Sequence, residues 1–157
     1  MFLSRKNEDK KIKKKEVKKI FESELTLLCT QLLEDIKKIK PSRYDYYSEL
    51  FDKMLHCKYA DDYVLSFNDE KIYELIYYER GKPVGGIKGS SVDEFRFWFL
   101  EHEFFMIRCK TAKTDIENMI SKLYSLFDDT SLFEEYIKKQ QKYYDLGEFN
   151  FATMKFE

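Results

Sequence analysis

The histidines and cysteines from which a zinc site or a His- or Cys-dependent catalytic site would be built are few in this chain: two His and three Cys among 157 residues. Zinc sites use short ligand spacings such as CxxC or HxxxH, and no pair of these residues has one. His56 is adjacent to Cys57, and His102 falls on an apolar helical stripe, a position typical of a hydrogen-bonded core histidine. His102-Glu103 is not followed by the second His of an HExxH motif. The sequence therefore predicts no metal site and no cofactor.

Motifs for phosphate binding and hydrolysis are missing as well. The glycines between the strand-like segments fit neither GxGxxG nor GxxxxGK: Gly81, Gly85, Gly86 and Gly89. There is no GxSxG turn for a nucleophilic serine. A metal-dependent nuclease could use carboxylates on adjacent strands together with a lysine, and the chain has a partial match in Asp61, Asp62, Glu79 and Lys82. Charged strand ends that face water explain these residues better. We therefore expect a binding protein rather than an enzyme.

Charge is distributed unevenly along the chain. The net charge is −1, yet residues 1–19 contain nine basic and three acidic residues and carry +6, so the remainder carries −7. This distribution fits a basic partner for the acidic body or a polyanion for the basic arm, although a solvated helix start is the simpler explanation of the arm. Base stacking needs aromatic side chains beside the cations, and only Phe2 and Phe21 lie near the arm. Nucleic-acid binding is therefore the second hypothesis.

The cysteine count and the apolar runs bear on the compartment. Three cysteines without CxxC spacing do not fit a secreted disulfide framework, and no apolar segment follows Met1 as it would in a signal peptide. Uninterrupted apolar runs such as Phe97 to Leu100 are far shorter than the roughly 20 residues that span a bilayer. We therefore expect a cytoplasmic protein with no membrane partner.

Helical periodicity at both ends of the chain, with a strand pattern between them, predicts a mostly helical α+β single domain over residues 1–157. The first helical stripe runs from Val17 to Ile39 and stops before Pro41. A helix beginning at Lys10 would be about 45 Å long, against a diameter of roughly 40 Å for a domain of this size. Cations at its start also oppose the helix dipole. We expect residues 1–15 to project or fray, residues 16–147 to form the folded body, and residues 148–157 to be loose or to add a strand.

The middle of the chain predicts a small antiparallel meander of three strands. Alternating residues from Tyr63 to Phe67 indicate the first strand, and the β-branched and aromatic run from Ile72 to Glu79 indicates the second. Gly81-Lys82 is the expected two-residue turn, and Val84 to Lys88 is the expected third strand.

Helices are predicted to follow the meander. Ser91-x-x-Glu94 is a capping box, and the segment after it is apolar around most of a helix as far as Cys109. That segment is therefore expected to be the central, buried helix on which the meander packs. Thr114-x-x-Glu117 and Ser131-x-x-Glu134 predict two further helix starts, the last helix ending at Gly147.

The second strand is expected to present one face to the central helix, because a small sheet is not stable alone. Successive residues of a strand point to opposite faces. We expect three residues to face inward: Tyr73, Leu75 and Tyr77. We expect one tyrosine and three carboxylates to face outward: Tyr78, Asp61, Asp62 and Glu74.

The segment Tyr73-Glu74-Leu75-Ile76-Tyr77-Tyr78-Glu79-Arg80-Gly81 resembles small immunity proteins of bacterial polymorphic toxin systems of the contact-dependent inhibition type. The similarity continues through Val92-Asp93-Glu94-Phe95, Trp98-Phe99 and Phe105-Met106, and covers roughly residues 61–144. It includes neither the lysine-rich first helix nor the tail.

The resemblance implies an antitoxin-like protein that binds and occludes a cognate toxin domain, protecting the producing cell without catalysis. An acidic surface with tyrosine anchors suits such an interface, because aromatic residues anchor it and charges steer association. A basic toxin is expected, and nucleases are one such class because their substrate is a polyanion. The candidate partner-binding residues are Asp61, Asp62, Glu74, Tyr78, Glu79 and Arg80.

Overall fold

The computed structural model describes residues 2–56, 62–110, 112–143 and 145–157. The chain forms two compact units, Met1–Phe95 and Arg96–Glu157. The α+β fold class is confirmed, with a three-stranded antiparallel sheet packed against helices. The helices are α1 (Phe2–Ile39), α2 (Tyr44–His56), α3 (Val92–Leu100), α4 (Lys113–Tyr124) and α5 (Ser131–Gln141). The strands are β1 (Tyr63–Phe67), β2 (Tyr73–Glu79), β3 (Lys82–Gly89), β4 (Phe149–Asn150) and β5 (Lys155–Phe156). None of the helices among these residues has the length and apolar character needed to cross a membrane.

Helix α1 is continuous from Phe2, and its two halves differ in what they bury. Leu28 and Leu32 are fully buried, whereas residues 7–16 are all exposed. Eighteen residues make five helical turns, so Lys10 and Lys14 point in the same directions as Leu28 and Leu32. The face that packs inward in the second half is therefore occupied by lysines in the first half.

Deleting residues 1–15 is expected to leave a cooperatively folding domain. The described side chains in this range are exposed, so the deletion removes none of the described core side chains. It also removes cations that oppose the helix dipole. Thermal unfolding followed by circular dichroism tests this. Loss of the sigmoidal transition would show that the arm stabilises the fold.

The sheet has the order β1-β2-β3, as the meander prediction requires. The predicted turn position is wrong by one residue, because Glu79 pairs with Lys82 and the two turn residues are Arg80 and Gly81. Both have positive φ, 50° and 76°. Such a turn matches the right-handed twist of the flanking strands and requires positive φ at both central positions.

The helix boundaries correct three further predictions. Ser91 Oγ accepts the backbone N–H of Glu94 at 3.1 Å, so Ser91 caps α3 as predicted. The Glu94 carboxylate, however, accepts the backbone N–H of Ser90 at 3.0 Å instead of that of Ser91, so the reciprocal half of the capping box is shifted by one residue. Helix α4 begins at Lys113, so Thr114 lies inside the helix and does not cap it. At α5 the Asp129 carboxylate accepts both the backbone N–H and the hydroxyl of Ser131, at 3.0 and 2.7 Å. These hydrogen bonds lower the pKa of Asp129. Helix α5 also ends at Gln141 rather than at Gly147.

The predicted helix to Cys109 is interrupted after Leu100. Glu101–Phe105 form a π-helical turn, and Met106 has φ 46°, which a right-handed helix excludes. The buried Glu101 carboxylate accepts the backbone N–H of Ile107 and the hydroxyl of Tyr136, both at 3.3 Å. These two hydrogen bonds hold the carboxylate at the point where the helix is broken.

The second unit has an aromatic core and a short C-terminal hairpin. Phe97 stacks on Phe133 with ring centroids 4.0 Å apart and planes 2° apart. Strands β4 and β5 pair antiparallel, with Phe149 opposite Phe156 and their rings 5.0 Å apart. The tail therefore adds two short strands.

Candidate partner-binding face of the sheet

The inner face of the three-stranded sheet is tied to α1. Tyr73 and Leu75 are buried, as predicted, and Tyr77 is half-buried. The Tyr73 hydroxyl donates to Glu24 Oε2 at 2.8 Å. Burial, and then this carboxylate, raise the pKa of Tyr73 to about 12. Tyr73 therefore stays protonated at neutral pH and keeps the hydrogen bond that joins β2 to α1.

The outer face is fixed by the register of the strands. The backbone N–H of Tyr78 donates to the Asp62 carbonyl at 2.7 Å, so these two residues lie opposite each other on neighbouring strands. Val64 pairs with Ile76 one step further along the same face. Asp62 and Val64 are exposed, and Ile76 and Tyr78 are half-buried.

Glu74 lies further along this outer face and has a basic neighbour. It pairs across the sheet with Ser66 on one side and with Lys88 on the other. Lys88 Nζ is 3.0 Å from Glu74 Oε2. Among the described residues, the face therefore carries an unneutralised carboxylate at Asp62 but an ion pair at Glu74. The sequence predicted one tyrosine with three carboxylates and no neighbouring cation.

The remaining predicted site residues lie at the end of the sheet or outside the described residues. Glu79 and Arg80 are both exposed at the β2–β3 turn. A bulge after Tyr77 shifts the pairing with β3, so that Val84 becomes an extra residue with 61 % of its surface exposed. Asp61 lies outside the residues that the structure describes. The site thus brings together Asp62, Glu74 and Tyr78.

Sequence reasoning missed three residues of the outer face: Val64, Ile76 and Lys88. The signal that could have found them is the two-residue alternation of β1 and β3, applied together with the register of the sheet. The exposed Val64 and the half-buried Ile76 beside Tyr78 make this face more suitable for protein contact than a purely charged one would be.

Within residues 2–56, 62–110, 112–143 and 145–157, no three His, Cys, Asp or Glu side chains are grouped so that they could hold a metal ion. Burial raises the pKa of the Cys29 thiol to about 12, so this cysteine is a protonated core residue at neutral pH. The outer face presents the Tyr78 ring, the methyl groups of Val64 and Ile76, and the Asp62 and Glu74 carboxylates.

Comparison of the chain with models of known protein families, with curated proteins and with solved structures found no match. The resemblance to immunity proteins therefore depends on the segment Tyr73 to Gly81 and on the motifs that follow it.

Proposed function

We propose that this chain is a cytoplasmic immunity protein that binds a cognate bacterial toxin domain through the outer face of the sheet and occludes the toxin's active site. The observation that carries the proposal is the composition of that face. Tyr78, Ile76 and Val64 form an aromatic and aliphatic strip, with Asp62 at one end and the Glu74–Lys88 pair at the other.

This composition supports a protein partner on energetic grounds. Tyrosine is enriched among the few residues that supply most of the binding energy in protein interfaces, and the side chains around such an anchor exclude water from it. Charged residues set orientation and association rate. Asp62 and Glu79 are exposed carboxylates that would steer a basic toxin, such as a nuclease, towards the strip.

The decisive experiment uses the gene neighbourhood of this chain. The C-terminal domain encoded by the reading frame immediately upstream is expressed from an inducible promoter, with and without this chain. Growth arrest that this chain alone relieves, together with a 1:1 complex on gel filtration, is the expected result. A harmless neighbour, or a toxic neighbour that this chain neither binds nor neutralises, would contradict the proposal.

Tyr78→Ala combined with Asp62→Lys is expected to weaken toxin neutralisation at least tenfold, because it removes the aromatic anchor and reverses a steering charge. The free energy of unfolding should change by less than about 1 kcal/mol, since Asp62 is exposed and Tyr78 only half-buried. Asp69→Lys is the matched control, because it makes the same charge change in the exposed β1–β2 turn. Full protection by the double variant would place the interface elsewhere.

A second candidate function is nucleic-acid binding through α1. It is favoured by the exposed lysines in the first half of that helix, of which Lys10, Lys11, Lys14 and Lys15 fall on one contiguous side. Clustered cations of this kind bind phosphates without sequence preference. Replacing these four lysines by glutamine should abolish any such binding, measured as the mobility shift of an oligonucleotide at low salt.

A further inference from the structure

The corner between α1 and α2 combines cations with aromatic rings, a combination that the basic arm does not have. The segment Lys37 to Tyr47 contains four basic residues and one acidic residue. Its basic side chains are all exposed: Lys37, Lys38, Lys40 and Arg43. None of these cations takes part in the ion pairs formed among the described residues. The corner therefore presents net positive charge to solvent.

Local structure explains why these side chains gather. Helix α1 ends at Ile39, and lysines in its last turn complement the helix dipole. Pro41 then begins a single 3₁₀ turn, Pro41–Arg43, which leads directly into α2. The cations at the end of one helix are thus only a few residues from the tyrosines that open the next.

Arg43 and two tyrosines form a layered cluster at this corner. The Arg43 guanidinium carbon lies 4.4 Å from the centroid of the Tyr46 ring and 5.7 Å from that of Tyr47. The two rings are 5.0 Å apart and nearly perpendicular. Tyr47 is buried, whereas Tyr46 has 49 % of its surface exposed. The buried Tyr47 ring therefore packs against the exposed Tyr46 ring, and the Arg43 guanidinium lies over the Tyr46 ring.

We propose that this α1–α2 corner binds single-stranded nucleic acid, with bases stacking on Tyr46 and Arg43 and phosphates contacting Lys37, Lys38 and Lys40. Proteins that bind single strands without sequence preference combine a basic track for the phosphates with aromatic or guanidinium groups on which the bases stack. A duplex would satisfy the lysines but would not offer unstacked bases to the rings. This activity is independent of toxin binding, because the residues differ from those of the outer face of the sheet.

The test is fluorescence anisotropy of a labelled oligothymidylate of roughly 12 nucleotides titrated with the full chain. We expect saturable binding whose association constant falls with salt with a log–log slope of about −2, the value for three lysine–phosphate contacts on a single strand. Tyr46→Ala should weaken binding about tenfold and leave the slope unchanged, because it removes stacking and no charge. Lys38→Gln with Lys40→Gln should reduce the magnitude of the slope, to about −0.7, because one of the three lysine–phosphate contacts remains.

Control variants distinguish base stacking at the α1–α2 corner from nonspecific attraction of the oligonucleotide to cations elsewhere in the chain. Tyr143→Ala removes another exposed tyrosine that lies beside a cation, Lys142, at 5.0 Å, and should leave affinity unchanged. Tyr46→Phe should retain affinity, since the ring remains. If Tyr46→Ala does not fold, Tyr46→Phe still tests whether the ring without its hydroxyl is sufficient for binding. The proposal would be overturned if the oligothymidylate did not bind, or if a duplex or polyglutamate bound equally well. It would also be overturned if replacing the four lysines of the first half of α1 (Lys10, Lys11, Lys14 and Lys15) abolished binding by itself.

Discussion

Phe97→Ala is expected to lower the free energy of unfolding by about 4 kcal/mol, within the range for removing a fully buried aromatic ring. Phe97 has no exposed surface and lies at the centre of the aromatic core of the second unit. Its ring stacks on Phe133 and is 5.1 Å from Trp98 and 6.0 Å from Phe127. Truncation removes the stack and leaves a cavity between rings that are held by their other neighbours.

Urea unfolding followed by tryptophan fluorescence measures this loss. The control is Tyr143→Ala, which removes a ring with 71 % of its surface exposed from the same unit and should change the free energy of unfolding by less than about 0.5 kcal/mol. Phe97→Leu should fall between the two, because part of the buried volume is kept. A loss of less than about 1 kcal/mol in Phe97→Ala would mean that the stack is not the centre of this core.

Gly89→Ala is expected to lower the free energy of unfolding by about 3 kcal/mol, at the upper end of the usual cost of overpacking. A Cβ atom added at Gly89 would meet the backbone of Phe95, with Cα only 2.7 Å away and the backbone nitrogen closer still. The obstacle is the first turn of a helix rather than a flexible side chain, so either β3 or α3 has to move.

Gly85→Ala is the matched control, because Gly85 lies on the same strand and has no atom within 4 Å of an added Cβ. Its free energy of unfolding should stay within about 0.5 kcal/mol of the parent chain. Thermal unfolding of the two variants side by side gives the comparison. Equal midpoints for both would contradict the close approach of β3 to the start of α3.

Features that depend on neighbouring residues in the chain were predictable from the sequence. The alternation from Tyr63 to Phe67 predicts β1, and Ser91 with Glu94 predicts the start of α3, because a strand face and a helix cap are each set within a few residues. Burial of Tyr73 and Leu75 follows from the same two-residue period. The fold class could therefore be predicted without tertiary information.

The wrong predictions concern features that depend on residues distant in the chain or on an unfavourable backbone conformation. The π-helical turn after Leu100 involves the buried Glu101 carboxylate and the Tyr136 hydroxyl, which is 35 positions away in the chain, and no local pattern contains that pairing. The turn at Arg80 and Gly81 requires positive φ at a residue other than glycine, which propensity disfavours and which the pairing of Glu79 with Lys82 imposes.

For the candidate sites, the sequence by itself determined which residue types are present and which strand face they share. The tertiary structure decided which residues of other segments lie next to them. Residue types and strand period predicted that Asp62, Glu74 and Tyr78 would share an outward face. Only the register of β3 placed Lys88 against Glu74 and so altered the charge of that face. Only the packing of Tyr47 and the orientation of Arg43 placed a guanidinium against the Tyr46 ring. The physical reason is that side-chain period is a property of one segment, whereas ion pairs and stacked rings depend on which segments meet and in what register.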